Sequence, residues 1–118
     1  MTMIRLKRAD DKPQPQDGYR ILVDSLWRRG LSQTDARVNE WLKDAAPSAQ
    51  LRSWLRHEPT EWEDFRRRYL GELRNKAEVA EHLRSILDDH STVTLVYGGR
   101  GKRHNVAEIL KEYIQTEL

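Results

Sequence analysis

The chain contains no cysteine, and it has no hydrophobic run long enough to cross a membrane. The missing thiols exclude cysteine nucleophiles, disulfides, iron–sulfur clusters and cysteine-ligated zinc. A membrane-spanning helix needs roughly 20 mostly apolar residues, and the amino terminus also lacks the pattern of a signal peptide. We therefore predict a cytoplasmic protein without a cofactor and without a membrane partner.

An excess of either charge is also missing. The chain has 21 lysines and arginines against 19 aspartates and glutamates, a net charge of +2. Any affinity for nucleic acid would have to come from local arginine clusters, because the molecule as a whole is not a polycation. A length of 118 residues with four tryptophans suits one domain with one core. We predict a single α/β domain over residues 1–118.

Three segments have the pattern of β-strands. Met3 to Lys7 alternates apolar and polar residues, whereas Tyr19 to Asp24 and Thr92 to Tyr97 are nearly continuous apolar runs. The helical crossover between the last two makes them parallel. The first connection is short, so the first strand could run in either direction. The prediction is a small, mostly parallel three-stranded sheet flanked by helices on both faces.

Apolar residues at helical spacing fill the rest of the chain. Val38, Trp41, Leu42 and Ala45 predict a helix that begins near Thr34 and ends before Pro47. Four further helices are predicted: one capped by Ser48, one with a capping box at Thr60 and Glu63, one from about Lys76 to Asp88, and one that begins near Asn105.

The carboxyl edge of the sheet is the predicted ligand site, because ligands of open parallel sheets bind beyond the strand ends. The run Gly98 to His104 joins a strand to a helix amino terminus. Its glycines allow backbone N–H groups to converge, and Arg100 adds a charged donor, so this loop could bind an anion. The alternative is a plain turn in which Asn105 and Glu108 form a capping box.

The turn after the second predicted strand supplies another arginine. Arg29 could bind a carboxylate or phosphate while Asp24 fixes the orientation of the arginine side chain. The alternative is an internal bridge between Asp24 and Arg29 that holds the turn. Of the four histidines, His57 and His104 are candidate general bases, since imidazole titrates near neutral pH. Two histidines without a spaced carboxylate cluster do not predict a metal site.

Arg66, Arg67 and Arg68 form the densest basic run, but on a helix they point about 100° apart. Arg66 lies closest to the buried face and could reach a pocket. Arg67 and Arg68 are expected to pair with neighbouring acids, and His82 and His90 are expected to face solvent. A nucleic-acid or protein interaction module built on these arginines and the Arg100 to Arg103 loop is the alternative function.

A long stretch of the sequence resembles a known family. Asp17 to Asp24 and Leu26 to Leu31 closely resemble the opening of the YeaO-like proteins, a domain of unknown function numbered 488. The resemblance continues to the end of the chain and implies a small α/β fold. This chain departs from the family at Arg28, where proline is usual, and at Gly98 to Gly101, where alanines and an acidic residue are usual. The resemblance implies that these positions recur in the family: Asp24, Trp27, Arg29, Gly30, Lys43, Arg52, His57, Tyr97, His104 and Asn105.

The sequence thus predicts that a small anionic molecule binds at the carboxyl edge of the sheet, with acid–base catalysis as a further possibility. The predicted catalytic residues are His57, His104 and Asp24. The predicted ligand-binding residues are Arg29, Lys43, Arg52, Tyr97, Arg100 and Asn105. The remaining alternative is that these polar side chains form only a buried structural network.

Overall fold

A computed structural model describes residues 2–9, 11–23, 38–57, 61–98 and 106–118, with the side chains of residues 56 and 57 left undescribed. Within these ranges the chain forms four strands and four α-helices. The strands are β1 (Met3–Arg8), β2 (Tyr19–Leu22), β3 (Glu40–Trp41) and β4 (Thr92–Tyr97). The helices are α1 (Ala49–His57), α2 (Trp62–Arg74), α3 (Ala77–Asp89) and α4 (Val106–Glu117), with 3-10 turns at Pro15–Asp17 and Lys43–Ala45.

All four strands run parallel in the order β1-β4-β2-β3. The predicted α/β class and the parallel pairing of β2 with β4 are confirmed. The direction of the first strand, which the sequence left open, is parallel: Met3 is in register with Thr92 and Arg8 with Tyr97. Because the strands share one direction, their carboxyl ends lie at one edge of the sheet.

The helix predicted from Thr34 to Pro47 is wrong where the structure describes it. Glu40 and Trp41 form a strand, and a short 3-10 turn follows it. Two backbone bonds explain the strand, since the amide of Asn39 donates to the carbonyl of Arg20 (2.8 Å) and that of Leu42 to the carbonyl of Leu22 (2.8 Å). Pairing with β2 therefore overrides the helical spacing, and the sheet has four strands rather than three.

The four helices cover one face of the sheet. Alternate residues of the strands point toward them, including Ile21, Val93 and Leu95, and these belong to one core cluster with residues from every helix. Apolar residues at helical spacing on these helices are buried: Phe65, Tyr69 and Leu73 of α2, Val79, Leu83 and Ile86 of α3, and Ile109, Leu110 and Tyr113 of α4, whereas Trp62, Leu87 and Val106 are partly buried. Ser48 caps α1 as predicted, because its Oγ accepts from the amide of Leu51 (3.2 Å).

The second face of the sheet carries a smaller apolar cluster of Ala9, Leu22, Val38 and Val96. Among the residues with a described position, this face receives the 3-10 turn at Pro15–Asp17 and no α-helix. The prediction that helices lie on both faces stays a prediction for residues 24–37, which fall outside the described ranges.

The polar residues on this second face are connected by one buried carboxylate. Asp17 is fully buried, and its Oδ2 accepts from Arg20 Nη1 (2.6 Å), Lys7 Nζ (3.0 Å) and the amide of Gln14 (3.0 Å). Its backbone carbonyl accepts from Thr94 Oγ1 (2.6 Å). One aspartate therefore connects β1, β2 and β4. Burial alone would raise the pKa of Asp17, but the backbone, lysine and arginine donors outweigh burial and lower it.

Replacing Asp17 with asparagine should destabilise the fold by about 3 kcal/mol, since breaking a buried ion pair leaves uncompensated charge. The native contribution is complete above the unfolded pKa of about 3.9 and is lost as the pH falls toward the lowered folded value. Urea unfolding of both proteins from neutral pH to acid pH measures this, and the difference should shrink at the acid end. Asp64→Asn, at a partly exposed carboxylate, is the control and should cost much less than Asp17→Asn. Equal losses for the two variants would contradict the assignment.

Gly18, which follows Asp17, has a φ of +66° that side-chain-bearing residues rarely adopt. An added Cβ would lie 2.9 Å from the carbonyl carbon of Thr92 and closer still to its oxygen. We expect Gly18→Ala to destabilise by at least about 2 kcal/mol, because backbone strain and overpacking each cost about 1–3 kcal/mol. Gly71→Ala is the matched control: it lies in α2 with open space around its Cβ, and it should stabilise by about 0.5–1 kcal/mol. Thermal unfolding tests both, and a neutral Gly18 variant would refute the close approach.

Candidate functional site

The carboxyl edge of the sheet brings together the last residues of β1 and β4. Arg8 and Tyr97 are register partners there, and Tyr97 is buried with 5% exposure. Burial raises the pKa of the Tyr97 hydroxyl, the Arg8 guanidinium lowers it, and the carboxylates of Asp11 and Glu108 raise it further. The described part of this edge therefore combines a cation, a buried phenol and two carboxylates near the start of α4.

Arg52 is a predicted ligand residue with an unusual environment. It is half-buried on α1, and its Nε is buried with no hydrogen-bond acceptor among the residues that the structure describes. The helix that carries it follows β3 after a short 3-10 turn, so α1 continues the chain from the carboxyl edge. A buried N–H donor of this kind needs a hydrogen-bond acceptor, because a buried donor without one costs about 1–3 kcal/mol of stability.

Lys43, another predicted ligand residue, lies apart from Tyr97. It is exposed in the second 3-10 turn, and its Nζ lies 5.7 Å from the ring centroid of Trp41. It lines a groove of about 660 Å³ together with Lys76 and Glu78 at the junction of α2 and α3. The strand before it, β3, is separated from β4 by β2. The structure therefore does not bring Lys43 next to Tyr97.

The other predicted site residues stay predictions. Asp24 and Arg29 lie in the segment 24–37, and Arg100, His104 and Asn105 lie in the segment 99–105, both outside the described ranges. His57 is the last residue of α1, and its side chain is also outside them.

A second polar cluster, which the sequence did not predict, joins β2, β3 and α3. The Tyr19 hydroxyl donates to Glu40 Oε1 (2.7 Å), and the other oxygen of this carboxylate contacts His82 Nε2. His90 stacks on the Tyr19 ring with centroids 4.2 Å apart. His82 and His90 were expected to face solvent, and His82 does remain 48% exposed while it contacts Glu40. These residues are far apart in sequence, so no local spacing could have identified the cluster.

The arginine run on α2 is neutralised by the protein's own carboxylates. Arg66 forms a two-pronged pair with Glu112 of α4, with Nε 2.9 Å from Oε1, and this pairing raises the pKa of Arg66. Arg67 and Arg68 both pair with Asp64, as predicted for neighbouring acids. Arg66 does line a groove of about 430 Å³ between α2 and α4, but its carboxylate partner lines the same groove.

Two negative findings apply to the described ranges alone. There, no group of three or more histidines, aspartates and glutamates is arranged to hold a metal ion. No helix in that part of the chain is both long and apolar enough to span a membrane.

Comparisons with known proteins identify relatives over nearly the whole chain. The family model DUF488-N3i, described as the inactive DUF488-N3 subclade, matches residues 3–118. The uncharacterized protein Rv3073c of Mycobacterium tuberculosis (strain ATCC 25618 / H37Rv) is 39% identical over 113 residues, which cover 96% of this chain and 94% of that protein. The uncharacterized protein YeaO of Escherichia coli (strain K12) is 35% identical over 113 residues, 96% of this chain and 97% of its own. No solved structure matches the chain.

The hydrogen bond to Glu40 raises the pKa of Tyr19 to about 12, and burial contributes in the same direction. The stability from this pair is therefore complete below the unfolded pKa of about 10 and is lost as the pH rises through the folded value. In a spectrophotometric titration the tyrosine step near pH 12 should disappear in Tyr19→Phe. It should move back toward pH 10 in Glu40→Gln, whose neutral amide no longer opposes ionisation. Tyr19 ionising at pH 10 in the native protein would contradict the contact.

Proposed function

Because the chain belongs to the DUF488 family of YeaO-like proteins and matches the subclade described as inactive, we propose that it binds a small anion without converting it chemically. The ligand class is a phosphate- or carboxylate-bearing small molecule, and the proposed site is the carboxyl edge of the sheet. The description of the subclade argues against the acid–base catalysis predicted for His57, His104 and Asp24. The proposal therefore gives these residues no proton-transfer role.

The observation that carries the proposal is the buried Nε of Arg52, for which no described residue provides an acceptor. An arginine guanidinium presents a planar set of donors that matches the oxygens of carboxylates and phosphates. A bound anion would satisfy this donor, and so would a group of the protein from outside the described ranges. These two alternatives are separable by experiment.

The parallel sheet supports the location. In open α/β sheets ligands bind beyond the carboxyl ends of the strands, and the segments with Arg29 and Arg100 directly follow β2 and β4. Tyr97 stands at the same edge as a buried hydroxyl. Glu108 and Asp11 also lie near it, so the arginines of both segments are needed for a positive potential.

The alternative of a nucleic-acid module has less support. Arg66, Arg67 and Arg68 each pair with a carboxylate of the same chain. Nucleic-acid binding draws its affinity from cations that neutralise phosphates, and these three are already engaged. We therefore do not propose this function.

Thermal unfolding with phosphate or citrate, compared with chloride at equal ionic strength, tests anion binding. A ligand present at about 100 times its Kd should stabilise the native protein by about 2.7 kcal/mol. Arg52→Gln should abolish most of this gain, and Arg52→Lys should retain only part of it because lysine lacks the planar fork. Arg67→Gln, at an exposed arginine of α2, is the matched control and should retain the full gain.

Two results would overturn the proposal. One is that no phosphate- or carboxylate-bearing compound stabilises the native protein. The other is that Arg52→Gln responds to anions as the native protein does while its own stability is lower, which would make Arg52 part of a structural network.

A further inference from the structure

No strand in the described part of the chain pairs with the outer side of β1. β1 is the first strand in the sheet order, and it pairs along its whole length with β4 on its inner side. The amides of Met3 and Ala9 donate toward β4, to the carbonyls of Ser91 (2.9 Å) and Tyr97 (2.8 Å). Odd-numbered residues therefore use their backbone groups on the inner side, and the backbone groups of the even-numbered residues point outward.

Within the described ranges, two of the three outward-pointing residues have backbone groups without a hydrogen-bond partner. The amide of Arg8 donates to Asp11 Oδ2 (3.1 Å), and its carbonyl accepts from the Asp11 amide (3.0 Å). The N–H and C=O groups of Ile4 and Leu6 make no backbone hydrogen bond within the described part of the chain. Four groups in a row are thus available to an added strand.

The two sides of this edge differ in chemistry. On the helix-covered side, Ile4 lines a groove of about 780 Å³ with the apolar residues Leu87, Ile114 and Leu118, and Arg84 and Asp88 also line it. On the other side, Met3 is 63% exposed and the Arg5 side chain is 35% exposed. Successive side chains of a strand point to opposite faces, so an added strand would place alternate residues against the groove and against Arg5.

Arg5 is only loosely held by its own chain. Its Nη1 donates to the carbonyl of Gln16 (3.2 Å) and lies 3.9 Å from Asp17 Oδ1, and its other N–H groups have no acceptor among the described residues. Lys7, in contrast, already donates to Lys12, Gln14 and Asp17. Arg5 therefore keeps N–H donors that can pair with an acidic residue of a partner.

Charge disfavours a second copy of this chain as the added strand. Two copies could pair antiparallel through β1 with the same face of each sheet on the same side. One register of this pairing places Arg5 opposite Arg5 of the other copy. The next register places Arg5 opposite Lys7. Like charges directly opposite each other destabilise a strand pair.

We propose that the outer edge of β1 binds an extended segment of a partner protein as an added strand, one whose alternate residues are apolar and acidic. The apolar residues would pack into the groove beside Ile4, and the acidic residues would pair with Arg5. Backbone hydrogen bonds to Ile4 and Leu6 would supply affinity, as in other cases of strand addition.

The probe is a short synthetic peptide that alternates valine with glutamate, with blocked termini and a fluorescent label. It should bind in a fluorescence anisotropy titration, and hydrogen exchange at the amides of Ile4 and Leu6 should slow in its presence. Two versions of the peptide carry N-methyl groups that block the backbone donors along one edge or along the other edge. They distinguish strand pairing from nonspecific attraction between peptide and protein. One version should lose binding and the other should keep it, because only one peptide edge faces β1.

Charge is tested separately. A peptide with lysine in place of glutamate should bind at least about tenfold more weakly. Arg5→Glu should reverse this preference, and Arg5→Gln should remove it. Arg67→Glu, on α2, is the control and should bind all peptides as the native protein does.

Several outcomes would overturn the proposal: no binding of the valine–glutamate peptide, equal binding of both N-methylated versions, or protection of amides other than those of β1. Concentration-dependent self-association that protects Ile4 and Leu6 would overturn it as well, in favour of a second copy. None of these readouts uses a small anion or Arg52, so failure here is distinguishable from failure of the proposed function.

Discussion

The fold depends on one buried carboxylate. Asp17 accepts hydrogen bonds from Lys7 of β1 and Arg20 of β2, and its carbonyl accepts from Thr94 of β4. Three strands are thereby fixed relative to one another on the face that receives no described α-helix. Because a one-residue slip would turn every strand side chain to the opposite face, this cluster also maintains the core.

Much of the fold could be predicted because its signals are local. Helical spacing identified the buried faces of α2, α3 and α4, and apolar runs identified β2 and β4. β3 was missed because its two residues derive their conformation from pairing with β2, whereas Val38, Trp41 and Leu42 by themselves have helical spacing. A short strand that depends on tertiary contact has no sequence pattern of its own.

The polar sites were harder to predict for the same physical reason. The alternation in β1 predicted a strand but not that Arg5 and Lys7 lie beside Asp17, ten or more residues away in sequence. Tyr19, Glu40 and His82 likewise meet only in the folded chain. At the candidate site, the chain order placed Tyr97 at a strand end, and the family resemblance nominated Arg52, but no sequence pattern indicates that the Nε of Arg52 is buried.

The distribution of charge within the Asp17 cluster explains why β1 can have a role beyond holding the sheet. Asp17 Oδ2 accepts from a lysine, an arginine and a backbone amide, whereas Oδ1 accepts no hydrogen bond from the described residues. Arg5 Nη1 lies 3.9 Å from Asp17 Oδ1, and Arg5 belongs to β1, whose outer side pairs with no described strand. Because Arg5 does not come within hydrogen-bond distance of this oxygen, its guanidinium keeps donors for an acidic partner, while the pairing of Lys7 keeps the strand in place.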